Sequence, residues 1–311
     1  MRRLLVNDYL TTIPGTRTFW HDLQEWFAMT YVGGDYGSLA EAAAQAAAAE
    51  KTDLIIRNGS WFGPIEADVP TISLIQDIAT EGPIRDAQEP VIASSRAVVF
   101  NSEFTASKYE MCKTMAGTIK VIPLPIDFSV FEPGNPMGLQ QSLSLPDNCI
   151  CWIGAQSEIK GYDIFLQIVR RNPDLHFVAV FKDQVPDYVP PNMRAFCLLT
   201  HEELVKVIGA CRVGLCTSRM ESQHLAGVEM GACGLPMVAP PVGTYFEREN
   251  MPGLVVKDPT TESLASAVRA CLSSESNPQH NRDFWQREFD KDIIRSQWAA
   301  LIEEVECSGR S

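Results

Sequence analysis

Residues 213–241 read VGLCTSRMESQHLAGVEMGACGLPMVAPP. Val213 to Cys216 is a short apolar run, expected as a buried strand, and it leads into a polar turn at Thr217, Ser218 and Arg219. A helix is expected from about His224, with Leu225, Val228 and Ala232 at apolar i, i+3, i+7 spacing. Gly234 ends it, and Pro236 to Ala239 reads as the next strand. Strand, polar turn, helix, glycine, strand is one βαβ unit, and such sheets bind ligands where strands run into helix N-termini. Two acids sit there: Glu221 in the loop, and Glu229 eight residues on, between Val228 and Met230. A buried carboxylate costs several kcal/mol unless it is paired. Glu229 is therefore either a half-exposed helix acid answered by a Lys or Arg, or an acceptor for two vicinal hydroxyls such as those of a ribose or hexose.

The same alternation extends in both directions. Before the unit, strands are expected at Leu4–Val6, Thr30–Val32, Asp53–Arg57, Thr71–Ile75, Ala97–Phe100 and Ile119–Ile122. A Pro14-Gly15 turn, a helix carrying Phe19, Leu23 and Phe27, an Ala-rich helix from Ser38 and a helix capped by Ser102 fall between them. A Pro- and Gly-rich stretch follows. Beyond it come strands at Cys149–Ile153, His176–Phe181 and Met193–Leu199, with helices at Tyr162–Arg171 and His201–Cys211. After the unit, a strand at Leu254–Val256, a helix at Glu262–Leu272 and one long helix over Asn281–Glu306 complete the chain. Such a pattern implies α/β architecture in two doubly wound Rossmann-like domains. The boundaries expected are 1–131 for the first domain, 132–147 for a linker, 148–280 for the second domain and 281–311 for the terminal helix.

With 311 residues the chain suffices for two domains of ordinary size, each burying its own core. The 45% apolar and 21% charged composition is that of a water-soluble globular protein, and no run approaches the ~20 apolar residues that span a bilayer. The start MRRLLVNDYL lacks the apolar core of a targeting segment. Nine cysteines are scattered without a CxxC pair, as expected of small core residues in a reducing cytoplasm. A net charge of −13 argues against a broad basic surface for nucleic acid or anionic lipid, and leaves only local patches.

The run RMESQHLAGVEMGACGLPMVAPPVGTYFE resembles the signature of retaining GT-B glycosyltransferases, the group 1 or family 4-like transferases. Glu221, Glu229, Gly234, Pro236, Gly243 and Glu247 fall in the register of its E-x7-E, G-x-P and following elements. PLPIDFSVF is similar to the hinge that follows the last strand of the family's first domain, through Pro123, Asp127 and Phe131. The loop IGAQSEIKG, residues 153–161, is similar to the family's G-R-x-x-x-x-K-G diphosphate motif: Gly154, Lys160 and Gly161 match, while Ala155 stands where the Arg would be.

The resemblance implies a GT-B fold whose C-terminal helix crosses back to the first domain. It also implies transfer of a sugar from a nucleotide-diphosphate donor, UDP- or GDP-linked, to an acceptor hydroxyl, with retention and no metal or other cofactor. Glu229 would grip the nucleotide ribose and Glu221 a hydroxyl of the transferred sugar. Lys160 would hold the diphosphate with backbone amides from Gln223 to Leu225, unless it is only a solvated surface lysine. His224 replaces the family's usual Gly; it either donates to the phosphate, partly replacing the missing Arg, or has no role. Arg219 is a further candidate cation. Gly15 takes the first place of the family's glycine pair and Thr16 stands where the second glycine would be; without the resemblance the stretch reads as an ordinary loop. Gln76 takes the place of the family's His at the end of the Thr71–Ile75 strand. An amide donates a hydrogen bond but holds no proton near neutral pH. Asp77 beside it could contact the acceptor or cap the following loop. The domains would close over the donor about the linker.

Partners expected are a nucleotide sugar and a glycan or small-molecule acceptor. Hydroxymethylated bases of viral DNA are the alternative, held by Arg57, Arg85, Arg96 and Lys108. The terminal helix mixes Arg282, Arg287 and Arg295 with Glu288, Asp290 and Asp292, so stable membrane association is not expected. Competing readings are a GT-B protein that binds a nucleotide sugar or glycan without transfer, and a nucleotide-sugar 2-epimerase.

Overall fold

The computed structural model describes residues 2–6, 14–34, 37–59, 62–79, 81–109, 114, 117–248, 251 and 253–308, of which the side chains of 14–16 and 308 are excepted. The chain divides into two compact units, one of Met1–Pro125 with Asp292–Ser311, the other Ile126–Lys291. Each holds a six-stranded, all-parallel sheet with its own helices, so the two doubly wound domains read from the alternation are present. Among the described residues no helix is long and apolar enough to cross a membrane.

In the first unit the strands are β1 (Arg3–Val6), β2 (Thr30–Val32), β3 (Leu54–Asn58), β4 (Thr71–Ile75), β5 (Ala97–Phe100) and β6 (Thr118–Val121). Its helices are α1 (Pro14–Trp26), α2 (Leu39–Glu50), α3 (Pro83–Ser94), α4 (Glu103–Ser107) and the last of the chain, α11 (Lys291–Ser308). The sheet order is β2-β1-β3-β4-β5-β6. The second unit has α5 (Pro136–Leu143), β7 (Ile150–Gly154), α6 (Tyr162–Arg171), β8 (Phe177–Phe181), β9 (Met193–Cys197), α7 (His201–Gly209) and β10 (Val213–Leu215). It continues with α8 (Leu225–Ala232), β11 (Met237–Ala239), β12 (Leu254–Val256), α9 (Thr261–Ser273) and α10 (Pro278–Phe289). Its order, β12-β11-β10-β7-β8-β9, is the dinucleotide-fold order with the direction of winding reversing between β7 and β10.

Strand residues alternate between the two faces of a sheet, and helices on both faces let every position be apolar. In β8, FVAVF, all five residues are buried. Val178 and Val180 join one core cluster with Cys151, while Phe177, Ala179 and Phe181 join another with Trp152. Trp152 stacks on Phe165 of α6 with ring centroids 4.6 Å apart, which anchors that helix on its face of the sheet. Truncating such a ring to Ala costs about 3–5 kcal/mol. All eight described cysteines are free and five are buried, as small core residues would be.

Four local expectations are corrected. The backbone is already helical at Pro14, so Gly15 and Thr16 lie in the first turn of α1 rather than in a loop; their side chains lie outside the described residues. Helix α3 was not foreseen, because Pro90 inside it interrupts the helical pattern, yet its buried Val91 and Ile92 hold it in the core. The stretch 132–147 is no bare linker: Asn135 caps α5, Gln140 Nε2 donates to the Ala210 carbonyl at 2.9 Å, and the whole segment belongs to the second unit, which begins at Ile126. The long terminal helix is two helices broken at Asp290, which is extended and forms a β-bridge with Ile126, so the helical ladder cannot run through it. Only the part from Asp292 on belongs to the first unit.

Candidate active site

The carboxyl ends of β7 and β10, neighbours at the point where the winding reverses, open into loops 155–161 and 216–224. Ligands of open α/β sheets bind at such a point. The two loops are laced together. The Arg219 amide donates to the Ile159 carbonyl at 2.8 Å, and Thr217 Oγ1 donates to the Lys160 carbonyl at 3.0 Å while accepting from Trp152 Nε1 at 2.9 Å. Gly161 closes the first loop at φ +62°, and a Cβ built there would lie 1.8 Å from the Thr217 carbonyl oxygen. Only glycine satisfies both the left-handed backbone and that approach.

This lacing places Lys160 against Glu221. The ammonium donates to both carboxylate oxygens, at 2.7 and 2.9 Å, and Ser218 Oγ donates to Oε1 at 2.6 Å. Glu221 is buried and Lys160 half-buried. Burial opposes ionisation of Glu221. The positive charges of His224, when protonated, and of Lys160, with the hydrogen bonds of Lys160 and Ser218, more than offset it and hold the carboxyl below its usual range. His224 follows at the start of α8, its Nε2 4.0 Å from Glu221 Oε1 and its Nδ1 2.6 Å from Tyr245 Oη. Desolvation carries its pKa down to about 4 against the pull of Glu221, so the ring is neutral at neutral pH. The expectation that it partly replaces the missing Arg is thereby narrowed: it offers a hydrogen bond but no charge. At neutral pH, Lys160 is the charge that keeps Glu221 ionised.

Helix α8 starts without a side-chain cap, because His224 occupies the capping position at φ +72°. That left-handed backbone costs a non-glycine residue roughly 1–2 kcal/mol. The Gly227 amide turns back on the His224 carbonyl at 3.0 Å, whereas the amides of Leu225 and Ala226 precede the helical ladder, which suits the helix end to an anion. Glu229 lies one turn further along the same helix. Among the described residues no cation or donor engages its carboxylate, so the alternative of a helix acid answered by Lys or Arg is not realised there. It keeps some exposed surface, yet desolvation raises its pKa to about 7.

Arg219 does not join the group. Its guanidinium makes a two-pronged contact with Asp163 of α6, at 2.6 and 2.7 Å, and donates to the Glu158 carbonyl at 2.7 Å. As a donor-site cation it is already committed. Gly154 ends β7 beneath the loop. The second unit thus brings together Lys160, Glu221 and His224, places Leu225 and Glu229 on the helix that His224 opens, and leaves Arg219 aside. Two participants were missed. Ser218 stands three residues before Glu221, near enough along the turn for its hydroxyl to reach the carboxylate, though no helix cap or motif marks the pair. Tyr245 had no sequence signal; the turn at Gly243–Tyr245, tied by the Thr244 amide to the Gln223 carbonyl at 2.9 Å, delivers it. Cys216, Glu221 and His224 also bring one ligand atom each within 4.8 Å of one another. Both carboxylate oxygens of Glu221 are engaged by Lys160 in this arrangement.

In the first unit, Gln76 and Asp77 follow β4. Gln76 is buried, and its Nε2 has no partner among the described residues. An amide left so is a donor waiting for an acceptor. The Asp77 carbonyl lies 2.8 Å from Tyr109 Oη and accepts from Gln88 Nε2 at 3.4 Å, which fixes the strand end to α3. Of the cations considered for DNA, Arg57 is buried and donates to the carbonyls of Asn58, Phe62 and Gly63, and Arg85 pairs with Glu89.

Residues 147–274 match the family model for glycosyl transferases group 1. The chain is 25% identical over 259 residues to D-inositol 3-phosphate glycosyltransferase of Saccharomonospora viridis, covering 69% of this chain and 58% of that protein. It is 24% identical over 252 residues to the Mycobacterium marinum protein of the same name, covering 70% and 53%. The chain thus spans little more than half the length of these curated relatives. Among solved structures, sucrose-phosphate synthase from Thermosynechococcus elongatus superposes with a TM-score of 0.82 at 14% identity, covering 99% of this chain and 100% of that one. Anabaena HepE in complex with UDP superposes with a TM-score of 0.78 at 16% identity, covering 98% and 100%. The resemblance read from the E-x7-E run is borne out: residues 147–274 are a glycosyl transferases group 1 domain, carried on a chain with the GT-B fold.

Proposed function

We propose that this chain transfers a sugar from a UDP- or GDP-sugar to an acceptor hydroxyl, with retention of configuration and without a metal. The observation that carries the reading is Glu229, a desolvated carboxylate without a partner among the described residues, one helical turn beyond an anion-ready helix start. A protein that leaves a carboxylate in that state gives up stability. Two vicinal ribose hydroxyls would satisfy it. The diphosphate would lie over the first amides of α8, with the third ammonium proton of Lys160 and the neutral His224 ring as side-chain donors. Ala155 contributes no cation, so the phosphate charge rests on fewer groups than the family pattern supplies.

In the reaction the bond from C1 of the sugar to the phosphate oxygen breaks, and a bond from C1 to the acceptor oxygen forms on the same face. The acceptor's proton passes to the departing phosphate, so no separate base is required. Glu221, held ionised at neutral pH by Lys160 and Ser218, would orient a hydroxyl of the transferred sugar. Gln76, whose Nε2 has no partner among the described residues, would be a donor for a sugar hydroxyl, with Asp77 beside it for the acceptor.

A glycan or small-molecule acceptor is favoured over modified DNA. A duplex needs several phosphate contacts, and of the four first-unit cations Arg57 is buried and Arg85 already paired. The test is incubation with a panel of UDP- and GDP-sugars with and without EDTA, together with glycan, polyol and hydroxymethylated-DNA acceptors. Transfer that survives EDTA and retains the anomeric configuration is expected. Activity that EDTA abolishes and Mn²⁺ restores, an inverted product, or salt-sensitive labelling of DNA alone would each overturn the corresponding part.

A further inference from the structure

We propose that Tyr245 is a positioning residue for this site: its hydroxyl donates to His224 Nδ1 and fixes His224 as the tautomer with hydrogen on Nε2, aimed as a neutral donor at a phosphate oxygen of the nucleotide. The inference rests on the donor-site reading above for the ligand, but not for the tautomer.

Two arguments from geometry fix the direction of the bond. Tyr245 is fully buried, and His224 Nδ1, at 2.6 Å, is the one partner of its hydroxyl among the described residues. Were Nδ1 the donor, the phenolic hydrogen would be buried with nothing to receive it, a state that folded proteins avoid. The other ring nitrogen gives the same answer independently. Nε2 faces Glu221 Oε1 at 4.0 Å, and a carboxylate is a negative, acceptor-only group. A hydrogen on Nε2 is attracted to it, whereas a lone pair there would be repelled. At that distance Nε2 is too far to bond Glu221, so its hydrogen is left for another acceptor.

The surroundings are shaped for this pair. Gly227, in the first turn of α8, lies so close that a Cβ on it would be 1.7 Å from Tyr245 Oη and 2.5 Å from His224 Nδ1. The space for the bond exists because residue 227 has no side chain. Tyr245 also resists ionisation, since burial pushes its pKa up, so it keeps the proton it donates.

The test is a long-range ¹H–¹⁵N spectrum of the ¹⁵N-histidine-labelled chain near neutral pH, with His224 assigned through His224→Gln. A protonated Nε2 and an unprotonated Nδ1 are expected, and a protonated Nδ1 would overturn the proposal. In Tyr245→Phe only the pull of Glu221 at 4.0 Å remains, so the His224 signals should move toward values averaged between tautomers, and UDP or GDP binding by calorimetry should weaken about ten-fold, the scale of one charge-assisted hydrogen bond. A fixed tautomer that survives Tyr245→Phe would also overturn it. A purely structural tyrosine would change the melting temperature and leave the tautomer alone. The wild-type spectrum decides by itself if the variant does not fold. A fixed Nε2 hydrogen in a protein that binds no nucleoside diphosphate would refute the donor-site reading and leave the positioning role standing.

Discussion

Replacing Glu229 by Gln keeps the shape of the side chain and removes its charge. In the folded protein the carboxyl titrates at about 7, against 4.5 for an unperturbed glutamate. A folded-state pKa raised above the unfolded value means stability that is fully present below the unfolded pKa and is lost as pH rises through the folded one. The loss falls between about pH 4.5 and 7. At about 1.4 kcal/mol per pH unit, the ionised carboxylate costs about 3 kcal/mol at about pH 8 and about 1 kcal/mol at about pH 5. Glu229→Gln should therefore stabilise the unliganded protein, and more so in alkali. For a unit of this size, about 3 kcal/mol is a rise in Tm of roughly 6–12 °C. The same variant should lose UDP- and GDP-sugar binding, because an amide cannot replace the carboxylate as a double acceptor. Thermal unfolding at the two pH values, with calorimetric titration of the nucleotide, measures both effects. A Tm change that is equal at the two pH values would refute the desolvated carboxylate, and undiminished affinity would refute its role.

Further outcomes are expected for two other variants. Gly161→Ala puts a Cβ 1.8 Å from the Thr217 carbonyl at a backbone angle that alanine resists, so it should lower Tm and abolish UDP binding together; a variant with normal Tm and affinity would refute the lacing of the two loops. Lys160→Ala strips Glu221 of two of its three hydrogen bonds and should destabilise by about 1–3 kcal/mol, discounted for the lysine's partial exposure. Glu221's lowered pKa contributes stability that is present above its usual value and lost as pH falls through the folded one, so the variant should also flatten the acid side of the stability curve. Its affinity should fall more for the nucleoside diphosphate than for the monophosphate; equal losses would make Lys160 a residue of stability alone.

The architecture was legible in the sequence because its signals are local. Runs such as FVAVF at 177–181 and VGL at 213–215, with polar turns after them, are sufficient to declare buried parallel strands. The spacing of Glu221 and Glu229 together with Lys160 and Gly161 pointed to the site. Composition misled where it stood for structure: Pro and Gly at 132–147 suggested a linker, but Gln140 reaches Ala210, seventy positions on, and holds α5 to its unit. Asp290 lies in an otherwise helical pattern, and only its bridge to Ile126 breaks the helix. Which charges are available was likewise decided in three dimensions. Arg219 and Lys160 look equivalent as cations near the loop, yet one meets Asp163 and the other Glu221. His224 could have been a charged phosphate ligand; burial makes it neutral, and a tyrosine twenty-one positions away sets its orientation. Sequence determines hydrophobic period and motif spacing, which act over a few residues. Desolvation and hydrogen-bond partnership depend on what the fold brings within about 3 Å, and those alone leave Glu229 without an answering group among the described residues.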